Sequence, residues 1–188
     1  MLPVSDIIQQ ASVIPSWTSI EEREKLVQLA QEVPVGGSIL EIGCLYGGAT
    51  ALFGIARPDV DIVAIDNFSW SPEGYPPVSR SLVCANMTQV GVENVRVVAI
   101  DSGTEGLAEL FKPDLLWIDG GHSYEFIHSD LVNFGPRARV VSMHDYNNPE
   151  PWMGIRQATD DFLSEHPEFY LSEIIGMVAV LRRNPNDN

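Results

Sequence analysis

Two short stretches of this chain bring acids and imidazoles together: Asp119-Gly120-Gly121-His122 and His144-Asp145-Tyr146-Asn147. Each closes an apolar run, DLLWID (114–119) and RVVSMHD (139–145), so both sets are expected at the ends of neighbouring strands. Carboxylates gathered at one sheet edge repel unless a proton or a cation joins them. A divalent ion bound by Asp119, Asp145 and His144 is the simplest junction. Carboxylate and water ligands suit Mg²⁺ or Mn²⁺, whereas an imidazole ligand shifts the preference toward Mn²⁺, Fe²⁺ or Zn²⁺. The alternative is that Asp119 holds an organic ligand and His144 is a core residue with its hydrogen bonds met. An imidazole such as His122, with an ordinary pKa near 6.5, is suited to take a proton around neutrality. His128 and His166 fall on helical patterns without an acidic strand end beside them and read as surface or structural residues.

A second group of polar residues follows earlier apolar runs. SILEI (38–42) ends in Glu41-Ile-Gly43-Cys-Leu-Tyr46-Gly47-Gly48-Ala-Thr50, whose glycines permit a tight turn and a close backbone approach to a ligand. It is not a pyrophosphate loop, because Leu45 stands where the dinucleotide fingerprint needs its second glycine. Glu41 suits a cationic group, such as the amino group of an amino-acid-like cofactor. Asp66 ends DIVAID (61–66), 25 residues beyond Glu41, about where adenosine-binding folds place the carboxylate that accepts from ribose hydroxyls. It could equally cap a helix or sit in a turn. Asp101 and Ser102 follow VRVVAI (95–100); they either meet an adenine ring or cap a helix beginning near Gly103.

These positions imply the frame that holds them. The five runs are short, mostly rich in Val, Ile and Leu, and separated by helix-length stretches at 47–56, 78–90, 103–111 and 124–134. Five βα units in series predict an α/β, Rossmann-like doubly wound sheet, with ligands outside the carboxyl ends of its strands. A helical pattern at 153–166 precedes two more strand candidates, FYLSEII and MVAVLRR, separated by Gly176. The sheet is therefore expected to be mostly parallel with a C-terminal antiparallel hairpin, an order that separates class I methyltransferases from dehydrogenases. Ser19 to Val33 reads as an amphipathic helix capped by Ser19, with Glu21 and Glu22 at its positive end. One domain over 1–188 is expected, with a helical cover at 1–35, the α/β core at 36–183 and a polar tail at 184–188.

The composition narrows the class further. With 26 acidic against 11 basic residues the formal charge is -15, and the cations are scattered. A nucleic-acid binder needs a concentrated cationic face, so DNA, RNA and anionic membranes are not expected partners. At 188 residues a single core buries roughly 70% of the chain's surface and needs no staple. Cys44 and Cys84 show neither a disulfide framework nor zinc spacing. No apolar run is long enough to span a bilayer and the first ten residues do not resemble a secretion signal, so a cytoplasmic protein is expected. Self-association into a homo-oligomer is left open.

Taken together, EIGCLYGGAT, AIDNF, DSGTEGL, LLWIDGGHSYEFIHSDL, VSMHDY and GIRQATDDF resemble the successive motifs of class I S-adenosylmethionine-dependent methyltransferases. They are most similar to the branch related to macrolide and aminocoumarin sugar O-methyltransferases and to proteins named cephalosporin hydroxylases. The likeness runs from about Ser38 to Leu163. It implies that Glu41, Gly43 and Gly47 hold the methionine part of S-adenosylmethionine, Asp66 the ribose, and Asp101 with Ser102 the adenine edge. It places Asp119 between cofactor and metal and puts His122 where sugar-methylating relatives carry a proposed general base. The metal-dependent relatives have a further carboxylate or amide beside the position of Asp145; here the neighbours are His144 and Tyr146.

The implied reaction is O-methylation of a hydroxyl on a small molecule, sugar or phenolic, with His122, Asp119 and His144 as catalytic residues and Mg²⁺ or Mn²⁺ as an optional assistant. Two aromatic, proline-rich connections, NFSWSPEGYPPVS (67–79) and YNNPEPW (146–152), read as lids that bring Trp70, Tyr75, Tyr146 and Trp152 to the acceptor. Neither carries a cluster of Arg or Lys, which favours a neutral hydroxylated acceptor over one bearing phosphate or coenzyme A. The competing readings are a module that binds S-adenosylmethionine without turnover and an NAD-dependent oxidoreductase.

Overall fold

The structure is a computed structural model and describes residues 2–184; positions 185–188 of the expected polar tail lie outside the described residues. Seven strands form one sheet: β1 (Ser38–Ile42), β2 (Asp61–Asp66), β3 (Val95–Ala99), β4 (Leu115–Ile118), β5 (Val140–Met143), β6 (Phe169–Ile175) and β7 (Val178–Arg183). Their order across the sheet is β3-β2-β1-β4-β5-β7-β6. The first five run parallel, and β7 is antiparallel to both β5 and β6. Gly176, at φ 58°, makes the tight turn that reverses the chain between β6 and β7.

Helices cover both faces, so the inner strands bury nearly every side chain. On one face lie α1 (Val4–Ala11), α2 (Ile20–Gln31), α3 (Gly48–Ala56) and α4 (Arg80–Gln89), packed through Ile7, Leu26, Phe53 and Val83 onto Ile39, Ile62 and Trp117. On the other, α5 (Tyr124–Phe134) and α6 (Ile155–Glu165) bring Leu131, Phe134 and Phe162 against Leu40, Leu116 and Val141. The chain order changes direction between β1 and β4, so their carboxyl ends flank the crevice where such sheets take ligands.

Helix α2 starts as its sequence predicts. Ser19 accepts from the Glu22 backbone N–H while the Glu22 carboxylate accepts from Ser19 N at 2.6 Å, a complete capping box. The helix is tied to the hairpin by Lys25–Glu173 at 2.6 Å and by a two-pronged Arg182–Glu32 pair at 2.7 and 3.0 Å. Two local expectations change. The helix expected over 103–111 is only a short 3-10 turn, Ala108–Leu110, and Ser102 does not cap it. Asp101 instead closes a turn, accepting from Gly103 N at 2.9 Å, and Gly106 at φ 77° interrupts any continuous helix. Helix α1, which sequence reading did not anticipate, begins directly after Pro3 without a side-chain cap and buries Ile7, Ile8 and Ala11. No described helix is long and apolar enough to cross a membrane.

Candidate active site

The parallel ladder continues one step past the strands and aligns the polar residues that follow them. Gly43 N donates to Ile65 O at 2.8 Å, Asp119 N to Ile42 O at 2.8 Å, and His144 N to Ile118 O at 3.1 Å. Glu41, Asp66, Asp119, His144 and Asp145 are thereby brought to one edge of the sheet, but their environments diverge.

At the β1–β2 end the chain satisfies itself. Glu41 is 1% exposed, and its Oε2 accepts from Thr50 Oγ1 at 2.5 Å. Burial, reinforced by the charges of Asp119 and Asp66 and opposed by the Thr50 hydrogen bond, raises its pKa to about 8, so the carboxyl is neutral in the fold. Its contact is with the start of α3, and it does not lie on an open rim as the sequence suggests. Both oxygens of Asp66 are engaged: Oδ2 accepts from Cys44 N and Leu45 N at 3.0 and 2.9 Å, and Oδ1 from Phe68 N at 2.7 Å. Leu45 takes φ 49°, the conformation that a glycine supplies elsewhere. The loop therefore has no need of a central glycine, because a carboxylate holds its amides in place. Gly43 does have to be glycine: at φ 84° a Cβ would stand 2.3 Å from Asp119 O.

At the β3 end, Asp101 is exposed and also accepts from Asn67 Nδ2 at 2.8 Å. Ser102 lies near Asp130, whose carboxyl burial pushes up to about 7.

The β4–β5 end is different in kind. His122 Nε2 lies 3.6 Å from Asp119 Oδ1 and 3.4 Å from Asp145 Oδ2. His144 Nδ1 lies 3.5 and 3.4 Å from the same two oxygens. Asp119, His144 and Asp145 each offer one ligand atom within 4.8 Å of the others, close enough to share a cation. The Nε2 atoms of both histidines are buried without a hydrogen-bond partner. The orphaned Nε2 of His122 faces the Asp119 and Asp145 carboxylates, and that of His144 faces Glu22 Oε2 at 3.5 Å; a site of this donor set fits a cation or a proton. In the chain alone, protons on the imidazoles supply that positive charge. Burial works against charge on His144, yet Asp119 and Asp145 raise it to about 11, and despite its own burial Asp145 falls to about 2 through His144 and Asn148. His122 is raised as well, first by Asp119. Asp145 sits at φ 57°, a strained conformation for a non-glycine residue.

Around this group, Trp117 walls His144 with ring centroids 5.9 Å apart, and Trp152 lies 6.2 Å from His122. A cavity of about 620 Å³ opens beside Asp145, lined by Tyr146, Met153, Arg156 and Asp160 among others. The four aromatics expected at the acceptor do not gather. Tyr146 is buried beneath the Arg156 guanidinium, 4.8 Å from its ring, and Trp152 stands near His122. Tyr75 instead packs with Trp17 and Tyr46, at 5.2 and 6.1 Å, and Trp70 is 65% exposed. Glu22, Trp17 and Arg156 are neighbours of these sites that sequence reading missed. Only Glu22 carried a signal, its place in a capping box, and that signal spoke for helix structure alone.

No family model matches the chain. Among curated proteins it is 29% identical over 110 residues to a carboxy-S-adenosyl-L-methionine synthase of Citrifermentans bemidjiense, covering 51% of this chain and 43% of that protein. The match thus spans less than half the length of that relative. Among solved structures, the O-methyltransferase NovP superposes with a TM-score of 0.72 at 21% identity, over 90% of this chain and 82% of NovP. The S-adenosylhomocysteine-bound methyltransferase PaMTH1 of Podospora anserina does so at 0.66 and 17%, over 97% and 89%. The strand order, the reversed terminal hairpin and these superpositions give the chain the fold of the class I methyltransferases.

Proposed function

We propose that this protein is an S-adenosylmethionine-dependent methyltransferase that methylates a hydroxyl oxygen of a small, neutral acceptor such as a sugar or a phenol. The observation that carries the reading is the position of Asp119, which lies beside the glycine turn at Gly43 and also belongs to the carboxylate–imidazole group of the β4–β5 end. A residue so placed can touch cofactor and acceptor together. The relatives named above are methyltransferases, one of them bound to S-adenosylhomocysteine, and a synthase of carboxy-S-adenosylmethionine, so an adenosylated methionine is their common chemistry.

In this reading the 43–48 turn, which Asp66 holds in place, receives the methionine part, with Asp66 and Asp101 toward the ribose and adenine. The acceptor enters from the cavity beside Asp145, past Tyr146 and Trp152, and its oxygen lies in line with the sulfonium methyl. Carbon–oxygen bond formation and carbon–sulfur bond cleavage then occur in one displacement, and the hydroxyl proton leaves toward the carboxylate–imidazole group. Alignment alone can contribute about 7 kcal/mol or more. Asp119, His144 and Asp145 are the residues that would hold a divalent ion, which when bound lowers the pKa of a nearby hydroxyl. The chain's own part is to orient that oxygen, exclude water and take the proton.

Calorimetric titration with S-adenosylmethionine and with NAD, followed by a turnover assay on hydroxylated sugars and phenols, tests the reading. Binding of the sulfonium cofactor with methyl transfer to oxygen is expected. Binding of NAD instead would overturn it, and cofactor binding without transfer to any acceptor would reduce the protein to a binding module.

A further inference from the structure

We infer that residues 72–77 form a lid over the 43–48 turn, latched by Tyr75 between Trp17 and Tyr46, and that its opening sets how fast the cofactor enters and leaves. The inference rests on the proposed function, in which that turn seats the methionine part of the cofactor.

The turn is more hidden than its role requires. Gly43 and Leu45 are half-buried, but Cys44, Tyr46, Gly47 and Gly48 are buried. Two segments cover them. On one side the chain at 12–18 crosses the start of α3, so close that a Cβ on Gly48 would stand 2.6 Å from Ser16 Cβ. On the other, the 67–79 connection meets Tyr46, whose hydroxyl donates to Pro76 O at 2.5 Å. The Tyr75 ring lies 6.1 Å from that of Tyr46 and 5.2 Å from that of Trp17, and Trp17 stacks on Tyr46 at 6.1 Å and 25°. Three rings from three segments thus close on one another at the turn. A ligand that reaches the buried part of the turn has to part this cover. The 67–79 connection, expected over the acceptor, serves the cofactor end instead.

The two halves of the cover are held unequally, and that decides which one moves. Arg23 of α2 grips the first: its guanidinium donates to Thr18 O at 3.1 Å, Ser16 O at 3.3 Å and Ser12 Oγ at 3.4 Å, and the Ser16 and Thr18 hydroxyls join at 2.8 Å. The second is fixed at its ends. Phe68 packs against the core with its N–H on Asp66 Oδ1 at 2.7 Å. Val78 is buried, and its N–H donates to Ser71 Oγ at 2.9 Å, which closes the neck of the loop. Residues 72–77 form neither strand nor helix, and Tyr75 N bonds within the tip, to Pro72 O at 3.3 Å. Among the described residues, the hydrogen bond that ties the tip to the rest of the chain is the one from Tyr46 to Pro76 O, so the ring contacts carry most of the latch. A loop closed at its neck and lightly held at its tip opens as a unit without disturbing the sheet. Tyr75 and Trp17 are already 49% and 52% exposed, so parting them adds little apolar surface.

The test measures association and dissociation of S-adenosylhomocysteine by stopped flow on the full chain, with hydrogen exchange of the cofactor-free protein as a readout that needs no ligand. Tyr75→Ala should raise both rate constants about tenfold and change Kd by less than about twofold, because loss of the latch eases entry and exit alike. Tyr46→Phe, which removes only the hydroxyl bonded to Pro76, should raise both about threefold. In Tyr75→Ala, exchange at 43–48 and 72–77 should be about tenfold faster while that at 12–18 stays as in wild type. A urea midpoint close to wild type shows that the variants fold. Rate constants unchanged in both variants would overturn the gate. Weaker binding through faster dissociation alone would make Tyr75 a direct cofactor contact and overturn it as well, and unchanged exchange at 43–48 would show that the tip is no lid. A wild-type protein that binds no S-adenosylhomocysteine would sink the proposed function, and the exchange result would then decide for or against the lid by itself.

Discussion

The two ends of the polar edge contain the same chemistry in opposite conditions. At the β1–β2 end every carboxylate has been answered by the chain: Asp66 holds three backbone amides, and Glu41 is a sealed neutral acid bonded to Thr50. At the β4–β5 end, two carboxylates and two imidazoles stand 3.4–3.6 Å apart with both Nε2 atoms unpartnered. The first end is a finished mount whose loop amides are held by Asp66. At the second end the carboxylates are joined only through the imidazoles, without a hydrogen bond to Nε2 of either histidine. The difference teaches that acids at strand ends do not announce their role by position. Satisfaction of their hydrogen bonds separates a scaffold acid from a ligand-seeking one.

That contrast can be attacked in order of expected effect. Gly43→Ala should be the most damaging, since a Cβ has no space against Asp119 and the φ of 84° is itself unfavourable; a loss of about 3 kcal/mol or more is expected in urea unfolding. Asp66→Ala comes next. It orphans three amides and should cost about 2–3 kcal/mol while abolishing S-adenosylmethionine binding in calorimetry. If it unfolds at wild-type urea concentration, the mount is not built as described.

Glu41 supplies a pH signature. Its pKa rises from 4.5 in a free chain to about 8 in the fold, so the folded state binds the extra proton between those values. Its contribution is therefore fully present below about pH 4.5 and is lost as pH rises toward 8, at no more than about 1.4 kcal/mol per pH unit. Glu41→Gln, an isosteric neutral replacement, should flatten the slope of unfolding free energy against pH in that window. An unchanged slope would show that the acid is not sealed. Asp145→Asn should cost less stability than Asp66→Ala, because asparagine tolerates the left-handed backbone at φ 57°, although the pairing of the carboxylate with His144 and His122 is lost. It should nevertheless remove metal-stimulated turnover and leave cofactor affinity near wild type. A destabilisation as large as that of Asp66→Ala would erase the distinction between the two ends.

Much of the frame was legible in the chain. The apolar runs at 38–42, 61–66, 95–100, 114–119 and 139–145 contain the five parallel strands, and Ser19 caps α2 as its type and spacing suggest. The segment at 103–111 misled because its apolar spacing outweighed Gly103 and Gly106, which favour turns. Helix α1 was passed over because eight residues without a cap give little local signal, and its stability comes from burying Ile7 and Ile8 against the sheet-side core. Asp119, His144 and Asp145 were recognisable as a group by residue type alone. The participation of Glu22 was not, since it lies 122 positions before His144 and meets it only when α2 folds across the edge.

The sequence by itself determined the alternation of strands and helices, the reversed hairpin, and the placing of acids and imidazoles just beyond strand ends. These are consequences of local periodicity and turn chemistry, which neighbouring residues settle among themselves. Only the tertiary structure decided that Glu41 is sealed, that Asp66 is spent on amides, and that two histidines converge on a shared pair of oxygens. Those outcomes depend on the parallel pairing of β1 with β2 and of β4 with β5, which sets distances between residues far apart in the chain to within an ångström. Hydrogen bonding and Coulombic interaction are decided at that scale.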